Sequence, residues 1–267
     1  MRGLILAGGH GTRLHPTSKV VNKHLFPIFD KPLIFYAIET LRDAGVKDIV
    51  LSLGDHDSER FFDLLRGGEE LGVNLQYDYH GEPKGIAYAI NHVQYEFPEF
   101  LDEPFVVLLG DNIFCDGLKM AVKCFRETQA PLAVIKRMPW KKACNYGVVF
   151  FDGPQNEYIA DIVEKPKIDR GLIPATAWAV LGAYFLDGKF FEAYKGMKPS
   201  ARGEYEITDA LKRIDGLAWI AYGGHWWDCG TPFDILNASM WRYNQVRKKG
   251  EPEVLLRHNS AGVDLSV

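Results

Sequence analysis

Apolar positions along the chain fall into two alternating spacings. Arg2–Ala7 is a near-continuous apolar run closed by Gly8-Gly9, which reads as a strand entering a tight turn. Leu33, Ile34, Ala37, Ile38, Leu41 and Ala44 recur at helical spacing, and Gly45 supplies the stop. The alternation continues with a strand over Ile49–Leu53, a helix over 57–71, a strand over Leu75–Tyr79 and a helix over Ile86–Glu96. Phe105–Leu109 is apolar at every position, as in a strand buried on both faces. A helix over Leu118–Thr128 and a strand over Leu132–Lys136 follow. Strand alternating with helix requires right-handed crossovers, so the class is α/β, with a largely parallel sheet covered on both sides.

Beyond residue 135 the rhythm changes. Tyr146–Phe151, Ile159–Glu164 and Ala177–Leu186 read as closely spaced strands, with helical stretches near Ile207–Ile214 and Pro232–Val246. There is no repeat, no low-complexity stretch and no evident linker. The expectation is one compact unit over 1–248, built of a 1–135 half and a 136–248 half, with a polar, loosely held tail over 249–267.

Composition narrows the function classes. The 267 residues are 47% hydrophobic and 25% charged, ordinary for a globular protein. A formal charge of −4 argues against nucleic acid as partner and leaves room for a local basic pocket. The four cysteines form no CxxC pair, so a structural zinc site is not expected, and they read as small buried hydrophobes. No apolar run reaches the roughly 18 residues a membrane helix needs, and Leu4–Ala7 is too short for a signal-peptide core; the expected location is the cytoplasm.

Five segments carry candidate chemistry. Leu6-Ala7-Gly8-Gly9-His10-Gly11-Thr12-Arg13-Leu14 follows a strand directly, and its glycines let backbone N–H groups approach phosphates. A dinucleotide turn fails at its third glycine position, occupied by Leu14, and no Gly-Lys-Ser/Thr marks a P-loop. Arg13 instead offers a guanidinium to phosphate oxygens. Lys23 follows at a distance suited to neutralising a phosphate, with Lys19 and Lys31 as competitors. Leu108-Leu109-Gly110-Asp111 presents a carboxylate at a strand's carboxyl end, where ligands sit in open α/β sheets, although such an Asp also serves as a helix cap. Asp228 precedes Gly230, with Thr231 as N-cap and Pro232 as first helical residue; it reads either as a turn acceptor or, with Asp111, as one of two carboxylates sharing Mg²⁺. Glu164-Lys165 pairs an acceptor for sugar hydroxyls with a cation for a phosphate, and Tyr146-Gly147 offers backbone access to a sugar.

In register, these segments resemble the sugar nucleotidylyltransferase family from Met1 to about Val246. Gly8 to Pro16 is similar to the family's signature, and Lys23-His24-Leu25-Phe26-Pro27 with Asp30-Lys31-Pro32 matches the segment that follows. Leu109 to Phe114 and Arg202 to Asp209 are similar to its thymidylyl branch. The resemblance implies a three-layer Rossmann-like fold with a mixed, mostly parallel central sheet. It implies transfer of a nucleotidyl group from a nucleoside triphosphate, dTTP in that branch, to a sugar 1-phosphate such as glucose 1-phosphate. It further implies a nucleotide-binding half over 1–135, a sugar-phosphate half over 136–248, Mg²⁺ as cofactor and assembly as a dimer or tetramer. Leu6, Gly8, Gly9, Gly11, Thr12, Arg13, Lys23, His80, Gly85 and Asp111 would contact the nucleotide, with Arg13, Lys23 and Asp111 catalytic. Tyr146, Gly147, Glu164, Lys165 and Arg202 would bind the sugar phosphate, and Asp111 and Asp228 the metal. Two departures, His80 and Tyr88 where the family carries glutamines, leave transfer from UTP, CTP or another triphosphate, and to a different sugar 1-phosphate, open. The shorter C-terminus implies a reduced or absent effector site, and a non-catalytic relative is the remaining alternative.

Overall fold

The computed structural model describes residues 1–151, 158–167 and 174–248; the expected tail over 249–267 lies outside them. The first half runs β1 (Arg2–Leu6), a small hairpin of β2 (Pro27–Ile28) and β3 (Lys31–Pro32), α1 (Leu33–Asp43), β4 (Asp48–Gly54), α2 (Ser58–Leu65), β5 (Asn74–Gly81), α3 (Ile86–Glu96), β6 (Phe105–Leu109), β7 (Asn112–Phe114), α4 (Lys119–Thr128) and β8 (Leu132–Pro139). The second runs α5 (Trp140–Ala143), β9 (Gly147–Phe151), β10 (Ile159–Glu164), β11 (Thr176–Leu186), α6 (Lys189–Tyr194), α7 (Ile207–Leu211), β12 (Ala218–Ala221), β13 (Trp226–Asp228) and α8 (Pro232–Lys248).

The sheet order is β10-β9-β11-β6-β1-β4-β5, with β8 beside β11 and β12 beside β8. β6, β1, β4 and β5 are mutually parallel. β11 joins them antiparallel, pairing Ala183 with Leu108 and Leu186 with Phe105. Strand pleat sorts the apolar residues into two cores. Ile5, Leu51, Val106 and Leu108 pack under α1, α2 and α4. Leu4, Val50, Phe105 and Val107 pack under α3, α6 and α7. The result is a three-layer α/β sandwich, each fully buried Leu or Ile in it contributing about 1.5–3 kcal/mol.

The helix expected over 57–71 is two pieces. α2 ends at Leu65, Arg66 takes φ 46°, and a separate 3-10 turn covers Glu69–Leu71. The Gly67-Gly68 pair outweighs the apolar period there, because glycine weakens a helix interior. The helix expected over 207–214 closes at Leu211. Of the cysteines, all free, only Cys229 is fully buried, so the small-hydrophobe reading is corrected for Cys115, Cys124 and Cys144, which sit at half-covered positions. β2, β3, α5, α6, β7, β12 and β13 were not anticipated.

Candidate active site

Parallel strands β1, β4 and β6 all end at one edge of the sheet, and glycines at their ends let the following loops close on each other. Gly110 N–H donates to Leu6 O at 2.9 Å. A Cβ at Gly8 would lie 2.4 Å from His80 Nε2 and 2.8 Å from Gly54 N, so only glycine lets this loop lie against both. Two cavities of about 390 and 620 Å³ open along this edge and share Thr12, Arg13, Ile86, Leu109, Asp111 and Glu204. They form one cleft with two basins.

The first basin is lined by Leu6, Gly8, Gly9, Gly11, Thr12, Arg13, Lys23, His80, Gly85 and Asp111. The stem of Lys23 runs beside Gly11, and its ammonium pairs with Asp111 Oδ2. Arg13 lies over Gly230, and no hydrogen bond or ion pair holds its guanidinium among the described residues. Gly85 has φ 105° and caps α3, and a Cβ there would meet the Tyr205 backbone at 2.6 Å. His80 is buried and its Nδ1 has no hydrogen-bond partner among the described residues. Burial moves its pKa below the ordinary histidine value. Lys31, one sequence competitor of Lys23, pairs with Glu39 outside the cleft.

Asp111 and Asp228, the two carboxylates expected to share a cation, are brought together by a two-stranded ribbon. β13 pairs antiparallel with β7, Asp228 opposite Asn112, and Cys229 N–H donates to Asp111 O at 2.9 Å. Burial raises the Asp111 carboxyl, but the adjacent Lys23 charge, with hydrogen bonds from Lys23 and Asn112, outweighs it and holds Asp111 well below the usual carboxylate range. Asp228 is pushed up to about 6, first by burial and then by the Asp111 charge. Its Oδ2 accepts a hydrogen bond from Tyr146 OH at 3.1 Å. Thr231 caps α8, taking the Asp234 N–H on Oγ1 at 3.2 Å. Among the described residues no cluster of three or more His, Cys, Asp or Glu is built to hold a metal. Two neighbouring carboxylates in a cleft fit Mg²⁺, which keeps waters and takes its other ligands from phosphate oxygens.

The second basin is lined by Tyr146, Gly147, Glu164, Lys165, Arg202 and Asp228, together with Glu206 and Thr208. Glu164 receives Thr208 Oγ1 at 3.2 Å and Arg202 Nη2 at 3.4 Å. Arg202 is gripped by Glu206, Nε at 3.1 Å and Nη2 at 2.7 Å. Lys165 takes φ 42°, and its ammonium lies 3.4 Å from Glu164. Every site residue singled out in the sequence therefore lines one basin or the other. Sequence reasoning gave no role to Asn112, Glu206, Thr208 or Trp226. Asn112 directly follows Asp111 and Trp226 stands two residues before Asp228, which was the only signal for them.

Glycine-walled phosphate access, paired carboxylates and converging cations at the strand ends define a site for phosphoryl-type chemistry on two ligands. The chain belongs to the nucleotidyl transferase family, whose model matches residues 2–245. It is 37% identical over 267 residues to the glucose-1-phosphate thymidylyltransferase of Mycolicibacterium smegmatis, covering 95% of this chain and 87% of the relative. A Bacillus anthracis crystal structure in complex with a sucrose superposes with TM-score 0.78 at 35% identity, covering 90% of this chain and 94% of that one. A UDP-glucose pyrophosphorylase complexed with UDP-glucose also gives 0.78, at 28% identity, covering 91% and 98%.

Proposed function

We propose that this protein joins a nucleoside triphosphate to a sugar 1-phosphate, giving a nucleotide-sugar and pyrophosphate, with dTTP and glucose 1-phosphate as the leading pair. The observation that carries this reading is the single cleft whose two basins meet at Thr12, Arg13 and Asp111. A sugar 1-phosphate is largely dianionic near neutral pH, its second pKa being about 6, so its oxygen can attack the α-phosphorus without a general base. The new P–O bond forms as the bond to the β-phosphate oxygen breaks, and pyrophosphate leaves opposite the attacking oxygen. What remains for the protein is to align two anions and screen their repulsion.

In this reading Gly8, Gly9, Gly11 and Thr12 cradle the triphosphate, and Arg13 and Lys23 take its oxygens. Gly147, Glu164, Lys165 and Arg202 hold the sugar phosphate, with Tyr146 beside them. Asp111 and Asp228 would hold Mg²⁺, which supplies charge screening when bound. The first basin's Leu6, His80 and Gly85 surround the nucleoside. The expected dimer or tetramer and cytoplasmic location belong to the same reading; no helix among the described residues is long and apolar enough to cross a membrane.

The base is the open point, and His80 is the observation behind the second reading. No neighbour among the described residues bonds its Nδ1 and so fixes its tautomer. It can donate to a carbonyl or accept from an amino group. Pyrophosphate release with Mg²⁺, glucose 1-phosphate and each of dTTP, UTP, CTP, GTP and ATP tests both readings. Preference for dTTP supports the leading pair. Preference for another triphosphate moves the base and keeps the reaction. Silence with every triphosphate and a panel of sugar 1-phosphates overturns the proposal in favour of a non-catalytic binder.

A further inference from the structure

Asp111 and Asp228 are joined by a chain of side chains that has no part in the attack itself. Trp226 Nε1 donates to Asn112 Oδ1 at 2.8 Å, and Asn112 Nδ2 donates to Asp111 Oδ1 at 2.8 Å. On the other side the Tyr146 ring stands edge-on to Trp226, centroids 5.3 Å apart, and its hydroxyl donates to Asp228 Oδ2 at 3.1 Å. β11 gives way to this arrangement. Its register with β8 shifts between Val180 and Tyr184, and a Cβ at Gly182 would lie 2.8 Å from Asn112 Cγ.

The donor inventory fixes the direction of every link. An indole N–H only donates, so it pins Asn112 with Oδ1 toward Trp226, and the amide NH₂ is then turned toward Asp111. A flipped amide would set an oxygen against a carboxylate. Asp111 therefore commits Oδ1 to Asn112, leaving Oδ2, which faces the Lys23 ammonium. Asp228 likewise commits Oδ2 to Tyr146, and its Oδ1 has no hydrogen-bond partner among the described residues. Asp228 thus has one oxygen held and one open, whereas Asp111 has Oδ1 held by Asn112 and Oδ2 paired with Lys23, so a cation at Asp111 shares Oδ2 with the ammonium or displaces it.

Building on the nucleotidyl-transfer reading above, we propose that Trp226, Asn112 and Tyr146 form a strut that sets the separation and orientation of Asp111 and Asp228, and are positioning residues for the divalent cation. Partners of this kind hold metal ligands in orientation, and losing one typically weakens metal affinity by about 10-fold or more. Tyr146 thereby acquires a second task beside lining the sugar basin. Trp226 bears on the cation through Asn112, without touching it.

The test measures Mn²⁺ binding by electron paramagnetic resonance, with the full chain and the unreactive α,β-methylene-dTTP and no sugar phosphate present. Trp226→Phe keeps an aromatic ring, smaller than the indole, and loses the N–H; Tyr146→Phe keeps its ring and loses the hydroxyl. Both are expected to raise the Mn²⁺ Kd about 10-fold. Gly182→Ala removes no hydrogen-bonding group and is expected to weaken Mn²⁺ as well, which keeps the test alive if Trp226→Phe does not fold. Unchanged Mn²⁺ affinity in folded variants, or a rise in sugar KM alone, overturns the strut. A wild-type chain that holds no Mn²⁺ overturns it too. Normal Mn²⁺ binding and strut behaviour without turnover would leave the strut standing and count against the transfer reaction instead.

Discussion

Lys23 touches one carboxylate directly and, through it, the balance of the whole cleft: its charge keeps Asp111 ionised while Asp228 is raised beside it. Lys23→Ala is expected to lower kcat for pyrophosphate release about 10²-fold, the scale of one transition-state charge contact. A near-normal rate in the folded variant would remove Lys23 from the catalytic set. Gly85 is the residue where geometry is least forgiving, since positive φ and the Tyr205 backbone both exclude a side chain. Gly85→Ala should cost about 1–3 kcal/mol in urea denaturation. The aspartates, Lys23 and the glycine loop were legible because each closes a strand or stands in a motif. The bonds among Asn112, Trp226 and Tyr146 were not, because they join side chains more than 30 residues apart and depend on which atom of an amide faces which neighbour.

At the scale of elements, apolar density decided what could be read. Phe105–Leu109 and Ile86–Glu96 fall where their patterns place them. β7 and β13, three residues each, carry too few positions to show a period, and they are strands only because each supplies the other's hydrogen bonds. β12 is similar, a short edge strand parallel to β8. α8 is tied to the turn of the β2–β3 hairpin by Arg242, whose guanidinium grips Asp30 at 2.6–3.1 Å. That hydrogen bond is the main cause of the lowered Asp30 pKa. A depressed carboxylate contributes stability above its unfolded value, near 3.8, and loses it as pH falls through the folded value. Arg242→Ala should therefore cost about 1 kcal/mol or less at pH 7, because the pair is partly exposed. The difference from wild type should shrink as pH falls below 3.8 and through the lowered folded value, which thermal melts across pH would show.

For the molecule as a whole, His24 sets an acid limit. It is buried beside Gly110 with Nδ1 donating to Asn22 Oδ1 at 2.7 Å, and burial, then the Lys23 charge, lower its pKa to about 3. Between pH 6.5 and 3 the unfolded chain binds a proton that the folded chain refuses. Stability is thus full above pH 6.5 and falls as pH drops, by up to about 1.4 kcal/mol per pH unit from this one group. His24→Gln should flatten that slope in denaturation curves at pH 6.5, 5.5 and 4.5; an unchanged slope would assign the acid loss to other groups. One feature of the sheet bears on how ligands enter. β11 is hydrogen-bonded to β8 along one side and to β6 and then β9 along the other, so a single strand from the second half is sewn into the first. A hinge between the halves would have to tear that strand loose. Admission of two anions is therefore the business of loop tips and side-chain rotations, and the protein's small-angle scattering profile should hardly change as the cleft fills.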